Sequence, residues 1–346
     1  MATPPTGSSA QVQDTTPGNV ANVIEVDDVP DDSDSAYVAS SFGSDTTSLK
    51  STALRYKWEN GRRYHAPGDS VYWSANDERQ QEAEDIAHEL YRLLLRGKLV
   101  VAPIPSDPQR VLDIGCGTGM WAIDFADLYP SAEVIGADIS PIQPLYVPPN
   151  CKFVIDDMNK DWAYPENYFD FIHVRAMIGC VPDWTAFHRK VLRHLKPGGW
   201  IEQVELSSNV QSDDGTLSPD TAEARWKTIF DGIGEKIGNS FATCEIAREC
   251  VEAAGGFTNI TERRTKVPIG MWPKDPELKN WGAWLRLYLL DGLEGFALRG
   301  LTVMLDWSVE ETQLYLVQLR KELNDPSIHS YIELSVVTAQ KPPVEV

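Results

Sequence analysis

An α/β fold built on a doubly wound, Rossmann-like parallel sheet is what this sequence predicts, and two observations carry the prediction. Between residues 110 and 206, short apolar runs alternate with segments of helical spacing, the pattern of a parallel sheet covered by helices. Where the first of these strands meets its helix, residues 111–120 read Val-Leu-Asp-Ile-Gly-Cys-Gly-Thr-Gly-Met, with Gly115, Gly117 and Gly119 at every second position. Glycines there let the backbone turn tightly and approach a ligand closely. In such sheets the ligand lies beyond the carboxyl ends of the strands.

The elements follow in order. Residues 1–52 are rich in Ser, Thr, Pro and Asp, with acids at Asp27, Asp28, Asp31, Asp32 and Asp34. So few large apolar residues cannot offset the entropy of ordering. This stretch is expected to be a disordered tail, with Val23, Ile24 and Val26 as anchors if it docks a protein partner. Residues 53–104 form an N-terminal helical cap segment. Its helix, over 77–97, is signalled by acids in the first turns, by Ile86, Leu90, Leu93 and Leu94 on one face, and by Gly97 as a stop. Pro103, Pro105 and Pro108 lead into the ligand-binding domain, residues 105–346.

Past the glycines, Ile123, Phe125, Ala126 and Leu128 give a helix over 121–129. A second strand, 132–137, ends at Asp138, and a third, 153–158, is closed by paired acids. The fourth strand covers 170–174 and a helix 183–194. A Lys-Pro-Gly-Gly turn at 196–199 then launches the fifth strand, 200–206, which runs into a polar loop. Within 219–325, which supplies substrate-cap helices, 223–237 and 244–254 read as helices, 257–267 as a strand and 278–293 as a helix. Residues 330–340 form the closing strand. No internal repeat suggests a solenoid.

The spacing of the glycines bears on the ligand. A dinucleotide loop wants Gly-x-Gly-x-x-Gly, but counted from Gly115 the last position is Met120. Asp113, two residues before the first glycine, would repel a phosphate and suits a cationic amine instead. S-adenosylmethionine carries such an amine. Asp138, about twenty residues on, stands where a ribose diol can donate two hydrogen bonds, and either of the paired acids Asp156 and Asp157, with Asp157 at the strand end taken as the contact, can accept from an adenine amino group. A nicotinamide cofactor, and with it an oxidoreductase, is disfavoured.

On these residues the chain resembles the fungal LaeA-like methyltransferases. The resemblance rests on 111–119, on Gly-Ala-Asp-Ile-Ser-Pro-Ile-Gln-Pro at 136–144, on Phe-Asp-Phe-Ile-His-Val-Arg at 169–175 and on Leu-Lys-Pro-Gly-Gly-Trp-Ile-Glu at 195–202. Glu-Asn-Gly-Arg-Arg-Tyr-His at 59–65 and Ser-Ile-His-Ser-Tyr at 327–331 extend it to about residues 55–342. It implies a seven-stranded class I methyltransferase sheet with S-adenosylmethionine as methyl donor. The methyl acceptor stays open, because the family holds both regulators of secondary metabolism and enzymes that methylate pathway intermediates.

Composition narrows the setting. With 42% apolar residues, the 346-residue chain can build a large core. A net charge of −20 and the lack of a basic stripe argue against nucleic acid, whose phosphates would be repelled. Five scattered cysteines suggest neither a disulfide framework nor a metal site. No apolar run reaches bilayer length and the N-terminal residues lack a signal-peptide core, so no membrane partner and a cytoplasmic setting are expected; the alternative is the nucleus.

Methyl transfer from a sulfonium is an in-line displacement in which the protein mainly positions the acceptor and excludes water. A general base is needed only where the acceptor must lose a proton. His173 is the first candidate, among Arg175, Met177, Cys180, Glu202 and Glu205 at the ends of strands four and five; strand alternation sends Glu202 and Glu205 to opposite faces. His65, His188 and His329 rank lower. Trp272, Trp281, Trp284, Tyr288 and Phe296 read either as core or as a lid gripping a hydrophobic or aromatic small-molecule acceptor, with Tyr64, Tyr72 and Trp73 opposite. Two functions follow: a methyltransferase acting on a small secondary metabolite, or a LaeA-like regulator working in a nuclear protein complex.

Overall fold

The protein is described here by a computed structural model covering residues 56–65 and 72–344. The expected tail, 1–52, lies outside the described residues. The first element is a small hairpin that sequence periodicity does not reveal. Its strands, β1 (Lys57–Glu59) and β2 (Arg62–Tyr64), are turned by Asn60 and Gly61, both at positive φ, the geometry of a tight hairpin turn. Arg62 then donates to both oxygens of Asp77, at 2.5 and 2.8 Å. Asp77 in turn caps the first long helix, α1 (Glu78–Leu94), by accepting from the Gln80 N–H.

The sheet begins with β3 (Arg110–Ile114), followed by α2 (Met120–Leu128), β4 (Glu133–Asp138), β5 (Cys151–Ile155), β6 (Phe169–Arg175), α3 (Trp184–His194) and β7 (Leu195–Leu206). After α4 (Trp226–Ile237) and α5 (Thr243–Ala254) come β8 (Thr258–Pro268), α6 (Pro276–Arg299), α7 (Val309–Leu323) and β9 (Tyr331–Gln340). A π-helical turn, Gly300–Met304, follows α6 directly. The seven strands lie in the order β5-β4-β3-β6-β7-β9-β8. The first five in this row are parallel, whereas β9 runs antiparallel to both β7 and β8. The doubly wound sheet is thus mixed at one edge, and chain order reverses between β3 and β6, where such sheets bind ligands.

Three differences from the periodicity reading have local causes. The third strand starts at Cys151 and ends at Ile155, leaving both acids beyond its tip. The Lys-Pro-Gly-Gly stretch lies inside β7 as an irregularity: the register shifts between Phe169 and Phe171, and Gly198 takes φ +81°. Helix α7 had no counterpart, although Ser308 and Glu311 form a reciprocal capping box at its start.

Packing divides into three regions. Trp121, Phe125 and Phe171 fill the space under α2, while Ile172, Val191 and Val251 belong to the cluster that packs α3 and α5 on the sheet. The largest cluster joins α1, α4, α6 and α7 to the β7–β9–β8 edge through residues such as Leu90, Ile233, Leu285, Leu319 and Leu334. Helices α1 and α6 approach closely because Gly295 lacks a side chain; a Cβ there would stand 1.8 Å from Gln80 Oε1.

Candidate active site

The loop between β3 and α2 is held by its backbone. The N–H groups of Gly115 and Cys116 donate to the Ala137 carbonyl at 2.9 and 3.1 Å. The Gly117 N–H donates to Asp138 Oδ2 at 2.9 Å, and the Gly117 carbonyl accepts from Gln143 Nε2 at 2.7 Å. Asp138 Oδ1 also accepts from the Ser140 N–H at 2.8 Å. Gly115, Gly117 and Gly119 all have positive φ, which disfavours any other residue there.

Above this loop is a cavity of about 480 Å³, within the usual range for small-molecule sites. Gly115, Gly117, Asp138 and Asp157 line it, together with Asp156. Asp157 Oδ1 accepts from the Asn159 N–H at 3.1 Å. Burial pushes the Asp138 carboxyl up to about 6, against the pull of its backbone donors. Gly119 serves packing instead, since a Cβ there would lie 2.3 Å from the Phe153 ring.

Two residues singled out from the sequence are not on the cavity wall. Asp113 and His173 are register partners on adjacent strands. Their side chains share one buried face, with His173 Nδ1 2.8 Å from Asp113 Oδ1. The His173 ring stacks on Trp121 of α2, with centroids 3.7 Å apart and ring planes within 3° of parallel. Burial lowers the His173 pKa, opposed by Asp113. His173 is therefore a packed partner of Asp113 Oδ1 off the cavity wall, while Asp113 Oδ2 is buried without a partner.

The other histidines are also engaged: His188 with Gln203 Oε1 at 2.9 Å, His329 with Asp214 Oδ2 at 2.5 Å, and His65 near Ser140 Oγ at 3.4 Å. Of the two β7 acids, Glu202 accepts from the Val101 and Ala102 N–H groups at 2.7 and 2.6 Å. Glu205 is on the cavity wall. Its Oε1 accepts from the Met177 N–H and from Gln203 Nε2, both at 3.3 Å. Its Oε2 is buried without a partner, and burial pushes this carboxyl up to about 8.

Beyond the loop, the cavity runs between Trp73, Trp226, Phe230, Tyr288 and Phe296. Tyr288 and Phe296 are thus wall residues, as is Tyr72, whereas Trp281 is core and Trp272 donates to the Ser330 carbonyl at 3.0 Å. Sequence periodicity missed the share of α1: Glu84, His88 and Tyr91, spaced at helical i, i+4 and i+7, all reach the cavity. In a helix as rich in charged residues as α1, a triplet at this spacing carries no distinguishing signal.

The fit to an adenosyl ligand rests on this geometry. Bare glycine backbone faces the cavity, and a Cβ on Gly117 would come 2.8 Å from Glu84 Oε2, so a side chain would fill the gap. Asp138 and Asp157, at or just beyond the tips of successive strands, are cavity-wall acceptors of the kind a diol and an amino group require. Replacing Asp138 by alanine removes a cavity-wall carboxylate and one brace of the loop. S-adenosylhomocysteine binding, measured calorimetrically, is expected to weaken by about 1–3 kcal/mol; unchanged affinity would show that Asp138 does not contact the ribose.

A seven-stranded sheet with an antiparallel β9 and a glycine loop of this kind define a class I methyltransferase, and S-adenosylmethionine is its methyl donor. A family model described as "Methyltransferase domain" matches residues 86–253. Methyltransferase pytC of Aspergillus terreus is 40% identical, covering 93% of this chain and 97% of that protein. Secondary metabolism regulator LAE1 of Cochliobolus heterostrophus is 38% identical over 82% of this chain and 94% of that one. Secondary metabolism regulator laeA of Monascus pilosus is 32% identical, with 98% and 92% covered. The chain belongs to the LaeA-like methyltransferase family. Among solved structures, the cyclopropane synthase MmaA2 from Mycobacterium tuberculosis is 19% identical, covering 78% of this chain and 90% of that one at a TM-score of 0.46, a likeness too loose to bear on the site.

Proposed function

We propose that the protein methylates a hydroxyl group on a small hydrophobic or aromatic metabolite of fungal secondary metabolism, and that Glu205 takes the proton that the acceptor loses. The observation that carries this reading is the unpartnered Glu205 Oε2 on the wall of an aromatic-lined cavity. Glu205 is tied to the glycine loop through one residue: it accepts from the Met177 N–H, and the Met177 sulfur lies where a Gly115 side chain would be, 2.1 Å from the position of its Cβ. The bound donor supplies an electrophilic methyl on a sulfonium centre. Glu205, through its unpartnered Oε2, would take the proton that the acceptor hydroxyl loses on accepting that methyl. The rings of Trp73, Phe230 and Phe296 hold the acceptor's apolar body and keep water out.

The regulators among the relatives favour a second reading, in which the protein acts within a nuclear complex and small-molecule methylation is incidental. The enzyme reading goes with a cytoplasmic setting. Metabolite profiles of the source organism with the gene intact, deleted or carrying a cofactor-loop variant separate the two. Loss of one compound, with accumulation of a counterpart lighter by one methylene, is the expected result. Collapse of many unrelated compounds together would overturn it in favour of the regulator.

A further inference from the structure

We propose that the amino-acid end of the methyl donor is gripped as a zwitterion, its ammonium by Glu84 of helix α1 and its carboxylate by Arg175 at the end of β6. This rests on the assignment of S-adenosylmethionine to the cavity and adds to it the residues that recognise the non-adenosyl end. Glu84 Oε2 is buried without a hydrogen-bond partner, and it faces the bare backbone of Gly117 across a gap that one Cβ would close to 2.8 Å. Its carboxyl is pushed up to about 8 by burial and by the nearby Asp138, as expected of an anion lacking its cation.

Arg175 is the complementary group. Its guanidinium lies 4.9 Å above the Tyr91 ring, and one N–H points at His88 Nδ1, 3.1 Å away. His88 Nε2 is bonded to Asp124 at 3.0 Å, so a neutral His88 that donates to Asp124 accepts from Arg175 and fixes its orientation. Among the described residues Arg175 forms no ion pair, and burial lowers its pKa. Both residues line the same cavity, and the Tyr288 hydroxyl senses both charges. A guanidinium and a carboxylate on one wall, neither in an ion pair among the described residues, are costly without a ligand. An α-amino acid answers both at once. Asp113, the acid that the sequence offered for the ammonium, meets His173 through Oδ1 and does not line the cavity, whereas Glu84 does.

The test compares two ligands that share the adenosyl part. S-adenosylhomocysteine carries the amino-acid end; 5′-methylthioadenosine lacks it. Binding of each is measured by calorimetry to the wild-type protein, Glu84→Gln and Arg175→Met. Each substitution is expected to weaken S-adenosylhomocysteine at least tenfold while changing methylthioadenosine less than twofold, which also shows that the variant is folded. Equal losses for both ligands, or none for S-adenosylhomocysteine, would overturn the grip. Wild-type protein that binds the two ligands equally would overturn the grip alone, whereas wild-type protein that binds neither would overturn the donor assignment as well.

Discussion

Replacing Glu205 by glutamine is expected to lower kcat by about 10²- to 10⁴-fold, the usual contribution of a positioned general base, with S-adenosylhomocysteine affinity unchanged. Glutamine keeps the shape and can still accept from the Met177 N–H, so the loss isolates the proton-accepting function. The pH dependence adds a signature that a packing defect would not give. With the carboxyl near 8 in the folded protein through burial, the base form grows as pH rises, and wild-type kcat, taken with the donor saturating so that Glu84 is already paired, should climb to a plateau above about 8. In Glu205→Gln that rise should vanish. Stability should move the opposite way. The folded pKa of about 8 lies above the ordinary value of 4.5, so the native state holds its proton more tightly than the unfolded chain. Stability from this group is present below 4.5 and is lost as pH rises through 8. The Tm of Glu205→Gln should therefore fall less between pH 6 and 9 than that of the wild type. A variant with full kcat and a wild-type pH profile would remove Glu205 from the chemistry.

Substituting Gly117 by valine should cost S-adenosylhomocysteine affinity a hundredfold or more, about 2.7 kcal/mol. Two effects combine. At φ +55° a β-branched residue is strained by about 1–3 kcal/mol, which shifts the loop that Asp138 and Gln143 brace. The branched side chain also enters the space between the loop and Glu84, where the ligand must pass. Steric conflict with Glu84 alone would be mild, because a carboxylate end can swing aside; occupation of the ligand's path is what makes the effect large. A valine variant that binds normally would move the cofactor site elsewhere.

How much of this was legible beforehand depends on whether the information is local. The glycine loop, Asp138 and Asp157 could be read because spacing places them at consecutive strand tips, whatever the rest of the fold does. The placement of His173 and Asp113 side by side on one buried face could not be read, because it is set by β3–β6 register and by Trp121 covering that face, neither of which a single strand's sequence contains. Glu202 and Glu205 were correctly assigned to opposite faces, but which face opens on the cavity depends on residues 101 and 102 reaching Glu202. The parts of α1 that reach the site, Glu84, His88 and Tyr91, were hidden by attention to the apolar positions of the same helix. Helix α7 was readable from its Ser308–Glu311 capping box. The β1–β2 hairpin, only three residues per strand, is too short for alternation to show.

The position of β9 has a kinetic meaning. Residues 331–340 slot between β7 and β8, more than a hundred residues after β7 has emerged from the ribosome. Until they arrive, β7 presents an open hydrogen-bonding edge and β8 has no strand to pair with. Both are templates for association with other chains. Long-range pairing of this kind slows folding, so the nascent protein passes through a stage exposed to aggregation. A chain cut after Ile328 should consequently gather in the insoluble fraction as a whole, even though the glycine loop and its parallel strands lie well upstream of the cut.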